Sequence, residues 1–319
     1  MNSIPDFDDI LLASRRTAGH VVRTPVLRSS SLDAAAGCEM HFKCENLQRG
    51  GAFKFRGACN AVFALDDAAA ARGVVTQSSG NHGAAVAMAC RLRGIPATVV
   101  VPEGAARVKL DAIARQGATI VRCAPNQAAR DATTAQVLRD TGGTLIHPFD
   151  DARVIAGQGT AALELLEQVD GLDAVIAPIS GGGLLSGTLL ATAGGLPVYG
   201  AEPEQAADAH ASLTRGARVL DWPIDTLCDG LRAHLGQLTF QVLNGKVEVL
   251  LASEAEIVAA MRLVWERMKL VIEPSSAVPL AAILRNRGLF AGRKVGVILS
   301  GGNVDLDQLP WTRQSLDHR

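Results

Sequence analysis

The sequence predicts an α/β protein built on open, largely parallel sheets. Helix-like and strand-like segments alternate almost throughout the chain. Apolar strands run into turns rich in serine and glycine, at 78–83, 180–184 and 300–303. The 319 residues are 48% hydrophobic, enough for a sizeable core and for two lobes.

An N-terminal helix comes first, then the extended Thr24-Pro25-Val26-Leu27 and a short strand over 40–44. The helix after Lys54 is predicted by Ala58, Ala61, Val62 and Leu65, which keep the i, i+3, i+4, i+7 spacing of one buried face. Strand 74–77 then leads through Ser78-Ser79-Gly80-Asn81-His82-Gly83 into a small-residue helix ending at Gly94. Strand 97–101 leads into a helix from Ala105 that stops at Gly117, a C′ glycine, and strand 118–123 into helix 127–140. This β-α-β-α-β-α unit predicts a small lobe over 73–150, with a large lobe from 1–72 and 151–319. In the large lobe a helix is expected from Gly157 through Leu165, then a buried strand over 173–179, a glycine turn, a helix and strand 198–202. Ser253-Glu254-Ala255-Glu256 reads as a capping box, opening a helix that buries Ile257, Met261, Val264, Trp265 and Met268. Pro274 ends that region, a further helix runs to Arg287, and strand 295–299 precedes Ser300-Gly301-Gly302-Asn303. No appended regulatory domain is expected after that turn.

A formal net charge of −1 gives no electrostatic reason to expect nucleic acid or an anionic membrane as a partner. The six scattered cysteines form no Cys-x-x-Cys pair and read as buried thiols of a reducing cytosol. The N-terminus, with Asp6, Asp8 and Asp9, resembles no signal or transit peptide, and no apolar run is long enough to span a membrane. The expectation is a cytoplasmic protein.

Four stretches suggest chemistry. Lys54 sits among apolar neighbours at a helix start. Such a lysine either lies along the surface on its stem or is an amine held in a closed site, where desolvation lowers its pKa as Schiff-base chemistry requires. Ser180-Gly181-Gly182-Gly183-Leu184 opens a helix after an apolar strand, a turn suited to a phosphate or simply a tight turn. Its spacing, Gly181-x-Gly183-x-x-x-Gly187, is not the dinucleotide fingerprint, although Glu202 stands near where a ribose-binding acid would. Ser78, Ser79, Asn81 and His82 crowd a helix start, more polar groups than the one an N-cap needs, and could clasp a carboxylate. Ser300-Gly301-Gly302-Asn303 ends a buried strand, where open α/β sheets place ligands or where a plain turn would stand. Glu202 and Asp208 read either as solvated acids or as part of an oxygen-ligand cation site.

With these stretches in order, the chain resembles the fold-type II pyridoxal-phosphate enzymes, and within them the serine/threonine dehydratases and serine racemase. The resemblance runs over nearly the whole chain, through Ala52-Phe53-Lys54-Phe55-Arg56-Gly57-Ala58, 78–83, Val154-Ile155-Ala156-Gly157-Gln158-Gly159-Thr160, 180–184, 263–274 and 300–305. It implies a tryptophan-synthase-β-like fold, two open twisted α/β domains with pyridoxal 5′-phosphate between them, the smaller closing on substrate. Lys54 would carry the cofactor as a Schiff base and act as base on one face, with Phe53 beside the ring and Asn81 on its 3′-oxygen. Gly181, Gly182, Gly183 and Leu184 would hold the phosphate, and Ser300 would face the ring nitrogen with Glu273 nearby. Ser78, Ser79, Asn81 and His82 would bind the substrate carboxylate, and Ser79 stands where the racemases place the acid/base of the opposite face. Glu202, the Ala206 carbonyl and Asp208 match a divalent-cation site, for Mg or Ca. A homodimer is the family's usual state.

Four positions depart from the pattern. Ala52 and Ser180 stand where many relatives have Ser and Gly, and neither should disturb the core chemistry. Ala233 replaces a hydroxyl residue placed near substrate in serine racemase, which takes away a polar contact and opens space for a substrate bulkier than serine. Gly50 replaces a threonine of a nucleotide-effector site, against activation by ATP. The resemblance implies a dehydratase (ammonia-lyase) of 3-hydroxy amino acids, acting on L-serine, L-threonine, a 3-hydroxyaspartate or a phenylserine. A 3-hydroxyaspartate could use Arg130 or Arg232 for its second carboxylate. The alternative is an amino-acid racemase with side dehydratase activity.

Overall fold

A computed structural model of the chain describes residues 4–105 and 107–311. Ten strands are present among them: β1 (Val26–Leu27), β2 (Glu39–Cys44), β3 (Val74–Gln77), β4 (Ala97–Pro102), β5 (Thr119–Cys123), β6 (Thr144–Leu145), β7 (Ala174–Pro178), β8 (Val198–Pro203), β9 (Glu248–Ala252) and β10 (Lys294–Leu299). Six form a sheet in the order β1-β2-β10-β7-β8-β9 and four a second sheet in the order β5-β4-β3-β6. Every neighbouring pair is parallel except β1 with β2. The α/β expectation is met, with two sheets.

Helices cover both faces of the larger sheet, so its central strands have no solvent side and read as continuous apolar runs. Along β7, Ala174 and Ile176 join one core cluster and Val175 and Ala177 the other, the two-residue period of a strand. A third cluster joins Phe55, Ala58 and Val62 of the helix Lys54–Phe63 to Val74 of β3, Val86 and Ile146. Apolar packing thus ties the lysine helix to the smaller sheet.

The helix Ala152–Gln168 begins five residues before the expected Gly157, because Asp151 caps it by accepting from the Arg153 and Val154 amides. Its glycines stay helical for packing reasons. A Cβ on Gly157 would lie 2.6 Å from the Gly57 Cα, and one on Gly159 would lie 2.8 Å from the Gly187 carbonyl oxygen. This one helix therefore holds the lysine helix and the helix after the glycine turn (Gly183–Ala191) at backbone contact.

Strands β6 and β9 and the helices Ser30–Ala36, Asp67–Arg72, Asp208–Arg215 and Gln237–Leu243 were not expected, being too short for periodicity to reveal. The helix expected from Ala105 runs over Arg107–Ala114, Ala106 lying outside the described residues. The helix opened by Pro274 ends at Arg285, short of the expected Arg287. The capping box at Ser253 forms as expected, and Ile257, Met261 and Val264 are buried beneath it.

Candidate active site

The first turn of the lysine helix is held from below by a buried ion cluster. Arg56, fully buried, donates to Glu45 at 2.7 and 2.8 Å and to Glu164 at 2.8 Å through each terminal nitrogen. Lys43 donates to Glu164 at 2.6 Å and Thr24 to Glu45 at 2.6 Å, so two cations meet two anions with their hydrogen bonds largely satisfied. Gln158 adds a bond from its side-chain oxygen to the Gly57 amide, 3.0 Å. These contacts hold Arg56 and Gly57, the two helix residues that follow Phe55.

The Lys54 amine donates to the Pro148 carbonyl at 2.9 Å and lies 5.2 Å from the Phe53 ring centroid. Burial pushes its pKa down to about 8, against a smaller opposing pull from the Glu273 carboxylate. The Phe53 amide donates to the Ser300 carbonyl at 2.9 Å, so the lysine and the end of β10 are locked in register.

The glycine turn, which follows β7, is a cradle with no side chain in it. Gly182, at φ +92°, is the N-cap of the helix Gly183–Ala191, and no side chain caps that helix. Its first amides are therefore left for an anion. A Cβ on Gly181 would sit 2.4 Å from the Phe149 ring, and one on Gly182 2.7 Å from Thr239, so larger residues would fill the cradle. Buried amides at a positive helix end beside a desolvated amine suit the phosphate and aldehyde of a pyridoxal phosphate. The residues present fit that group.

The 78–82 loop joins β3 to the helix Asn81–Arg93, whose N-cap is Gly80, again without a side-chain cap. The single-cap reading through Ser79 is excluded, and the first-turn amides remain free for a carboxylate. Gly83 permits the tight entry, since a Cβ there would be 2.0 Å from the Ser78 carbonyl oxygen. Ser78 accepts from the Gly80 amide at 3.3 Å, and Ser79 is half-buried.

His82 is buried, and its Nε2 meets the Ile146 carbonyl at 3.3 Å, which requires the proton on Nε2. Burial and then the Lys54 charge hold its pKa well below the usual range. The ring is neutral and its Nδ1 is an acceptor, so it presents no second donor to a carboxylate. The imidazole is therefore no carboxylate ligand, and the contact His82 can offer is its backbone amide in the first turn after Gly80.

Asn81 meets two residues far from it in sequence. Its amide donates to both Glu273 oxygens at 3.2 and 3.1 Å and accepts from Asn303 at 2.9 Å. It reaches from the smaller sheet's helix to the large lobe, its donors directed at a carboxylate. Glu273 is buried, and its pKa is pushed up to about 7, first by burial and then by Asp229, with the Asn81 bond opposing. Ser300 is buried beside it, its Oγ 3.1 Å from Ser276 Oγ, a neutral hydroxyl pair at the strand end.

Arg130 stands on the helix Gln127–Thr141, where Thr134 donates to the Arg130 carbonyl at 2.7 Å and to Gln77 at 3.3 Å. Its helix thus backs the residue before the carboxylate loop, and the buried Arg130 Nε has no hydrogen-bond partner among the described residues. Arg232 is spent elsewhere: Nε and Nη2 both donate to the Thr226 carbonyl, at 3.0 and 2.6 Å, which corrects its expected role. The Ala233 backbone is bonded on both sides to the Ser180 hydroxyl.

Away from the lysine, Glu202 accepts from the Ala209 and His210 amides at 3.0 and 2.8 Å, and Asp208 from the Leu235 amide at 2.8 Å. Glu202, Ala206 and Asp208 are all buried. Burial raises both carboxyls, Asp208 to about 6, and Glu202 is raised further by the Asp208 charge. No group of three or more His, Cys, Asp or Glu able to hold a metal occurs among the described residues. Two carboxylates and a carbonyl would need water to complete the shell of a hard cation.

Sequence reading missed several polar contacts, among them His147, whose ring lies within the field of the Lys54 charge. His147 accepts from the Asp150 amide at 2.9 Å, and Asp150 accepts from the Leu238 amide at 2.8 Å. Lys109 pairs with Asp229 across the two sheets' halves. Histidine, proline and phenylalanine at 147–149 lie between elements and carry no periodic signal.

The profile of the family "pyridoxal-phosphate dependent enzyme" matches residues 17–301. The chain is 52% identical to a β-hydroxyaspartate dehydratase of Paracoccus denitrificans, over 97% of this chain and 99% of that one. It is 44% identical to an L-threo-3-hydroxyaspartate ammonia-lyase of Saccharomyces cerevisiae, over 95% and 94%. Among solved structures it is similar to serine racemase of Dictyostelium discoideum, with TM-score 0.92 and 48% identity, covering 95% of this chain and 100% of that one.

Proposed function

The chain belongs to the pyridoxal-phosphate-dependent enzymes, and we propose that it is a dehydratase of 3-hydroxy amino acids, releasing a 2-oxo acid and ammonia. The observation that carries this reading is the desolvated Lys54 amine, set in register with Ser300 and beside an uncapped glycine cradle. Relatives named for 3-hydroxyaspartate dehydration support it at the level of substrate class.

Bound pyridoxal phosphate supplies an electron sink for the charge left when the α-proton is removed. The residues that would hold it are Lys54, the amides of Gly181, Gly182, Gly183 and Leu184, the Phe53 ring and the Ser300 hydroxyl. Ser300 would offer the ring nitrogen a neutral hydroxyl, which would leave a weaker sink than a carboxylate and favour β-elimination. The uncapped amides after Gly80, with the Ser78 and Ser79 hydroxyls, bind and orient the α-carboxylate. Lys54, its pKa lowered to about 8 by burial, takes the α-proton, and that proton and the β-hydroxyl together leave as water. The released enamine tautomerises and is hydrolysed to the 2-oxo acid and ammonia. The second carboxylate of a 3-hydroxyaspartate would be met by Arg130, a reading supported by its partnerless Nε.

A second reading, amino-acid racemisation, is favoured by the half-buried Ser79 hydroxyl on the carboxylate loop and by relatives named serine racemase. We further assign a divalent cation (Mg or Ca) to Glu202, Ala206 and Asp208, supported by the two adjacent desolvated carboxyls. We assign a homodimer as the assembly, on the family resemblance. A cytoplasmic location is supported by six buried cysteines, all free thiols.

The deciding experiment is 2-oxo acid and ammonia release from L-serine, L-threonine, the 3-hydroxyaspartates and the phenylserines, with and without magnesium. A dominant 3-hydroxy substrate is expected. Exchange of the α-proton without ammonia release from any of them would replace dehydration with racemisation.

A further inference from the structure

Ser180 and Ala233, two of the positions that depart from the family pattern, are in contact. The Ser180 hydroxyl donates to the Ala233 carbonyl at 2.9 Å and accepts from the Ala233 amide at 3.0 Å. One side chain thus satisfies both backbone groups of a residue 53 positions away. Ser180 directly precedes the glycine cradle, and Ala233 lies midway along an irregular strap, 229–235.

That strap forms part of the cleft wall. At its start, Asp229 pairs with Lys109 of the other lobe, and the Gly230 amide donates to Ser275 Oγ at 3.2 Å. A Cβ on Gly230 would lie 3.5 Å from a Glu273 carboxylate oxygen, so the strap passes directly over the buried acid beside the lysine. At its end, the Leu235 amide bonds to Asp208, and the next amide, Gly236, bonds to the Gly181 carbonyl at 3.2 Å. Between these anchors the Ser180 clamp ties the strap's middle to the cradle.

A glycine or alanine at 180 would leave both the N–H and the C=O of Ala233 to find water or to shift. The α-carboxylate has its own site on the other lobe, at the uncapped amides after Gly80. The strap instead lines the side of Glu273 and Ser180. We propose that Ser180 is a positioning residue for selectivity, its hydroxyl locking the 229–235 strap to the cradle and thereby setting which β-substituent the cleft accepts. The proposal rests on the dehydratase reading above.

The test compares wild type, Ser180→Ala and Ser180→Gly as holoenzymes. KM and kcat are measured for L-serine and for L-threo-3-hydroxyaspartate, with the absorbance of the bound cofactor and amide hydrogen exchange over 229–236. Loss of the clamp is expected to change the ratio of the two KM values about five-fold, the equivalent of one ordinary hydrogen bond. The kcat for L-serine and the cofactor band should stay as in wild type, and exchange at Ala233 should accelerate. Variants that turn over both substrates with the wild-type KM ratio, or with unaltered exchange at Ala233, overturn the proposal alone. A wild-type enzyme that releases no 2-oxo acid from either substrate overturns the dehydratase reading, and the selectivity proposal with it.

Discussion

Gly57 and Gly157 meet backbone to backbone, so close that a Cβ on Gly157 would stand 2.6 Å from the Gly57 Cα and 2.7 Å from the Arg56 carbonyl oxygen. The contact places the lysine helix on the helix Ala152–Gln168, whose Gly159 makes the equivalent approach to Gly187 after the cradle. Lys54 and the phosphate turn are thus spaced by a single helix through two glycine seams. Gly157→Ala should force the seam apart. A loss of about 1–3 kcal/mol is expected from overpacking, together with a weakened cofactor affinity. Thermal melts and cofactor titration check this, and an unchanged affinity would show that the spacing is set elsewhere.

Lys54→Ala should abolish turnover and the visible band of the covalently held cofactor. In wild type, burial lowers the amine to about 8, so its base form grows as pH rises toward that value. The kcat/KM profile should climb from about pH 7, pass its midpoint at about pH 8 and level above about pH 9 if Lys54 is the base. Retained elimination in Lys54→Ala would remove the assignment.

Ser79→Ala should impair α-proton exchange on the opposite face more than elimination from the L-substrate. Parallel assays of D-product formation and ammonia release measure the two. Equal losses would reduce Ser79 to a carboxylate ligand.

Arg56→Met leaves Glu45 and Glu164 buried with one cation, Lys43, between them. Removing one partner of a buried ion cluster costs about 3–5 kcal/mol. The variant should melt well below wild type, as followed by circular dichroism. A loss below about 1 kcal/mol would mean that water enters and resolvates the acids.

Without a cation, Glu202 and Asp208 have raised pKa values, so the folded protein holds protons that the unfolded chain would shed. The Asp208 contribution to stability is present below its unfolded value of 3.8 and is lost as pH rises through about 6, and Glu202, raised well above its ordinary value, acts in the same direction. A bound divalent cation reverses that loss by favouring the charged form. Chelation should therefore lower the Tm more at about pH 8 than at about pH 5, with recovery on adding magnesium. A chelator effect independent of pH would argue against cation binding at these two carboxyls.

The sequence by itself determined the α/β class, the strand-to-turn sites at 78–83, 180–184 and 300–303, and Lys54 as their centre. Each is local: apolar periodicity reports burial, and serine and glycine at a strand end report a turn with free amides. The same locality explains the failures. β9 and the helix Gln237–Leu243 are short and take their stability from neighbours rather than from their own pattern. Tertiary structure alone decided that His82 spends its proton on Ile146, that Asn81 meets Glu273, that Arg232 is tied to Thr226, and that Ser180 clasps Ala233. These pairings join residues between 6 and 192 positions apart. Which polar group finds which partner depends on how the two sheets bring distant backbone together, and no spacing within one segment encodes that.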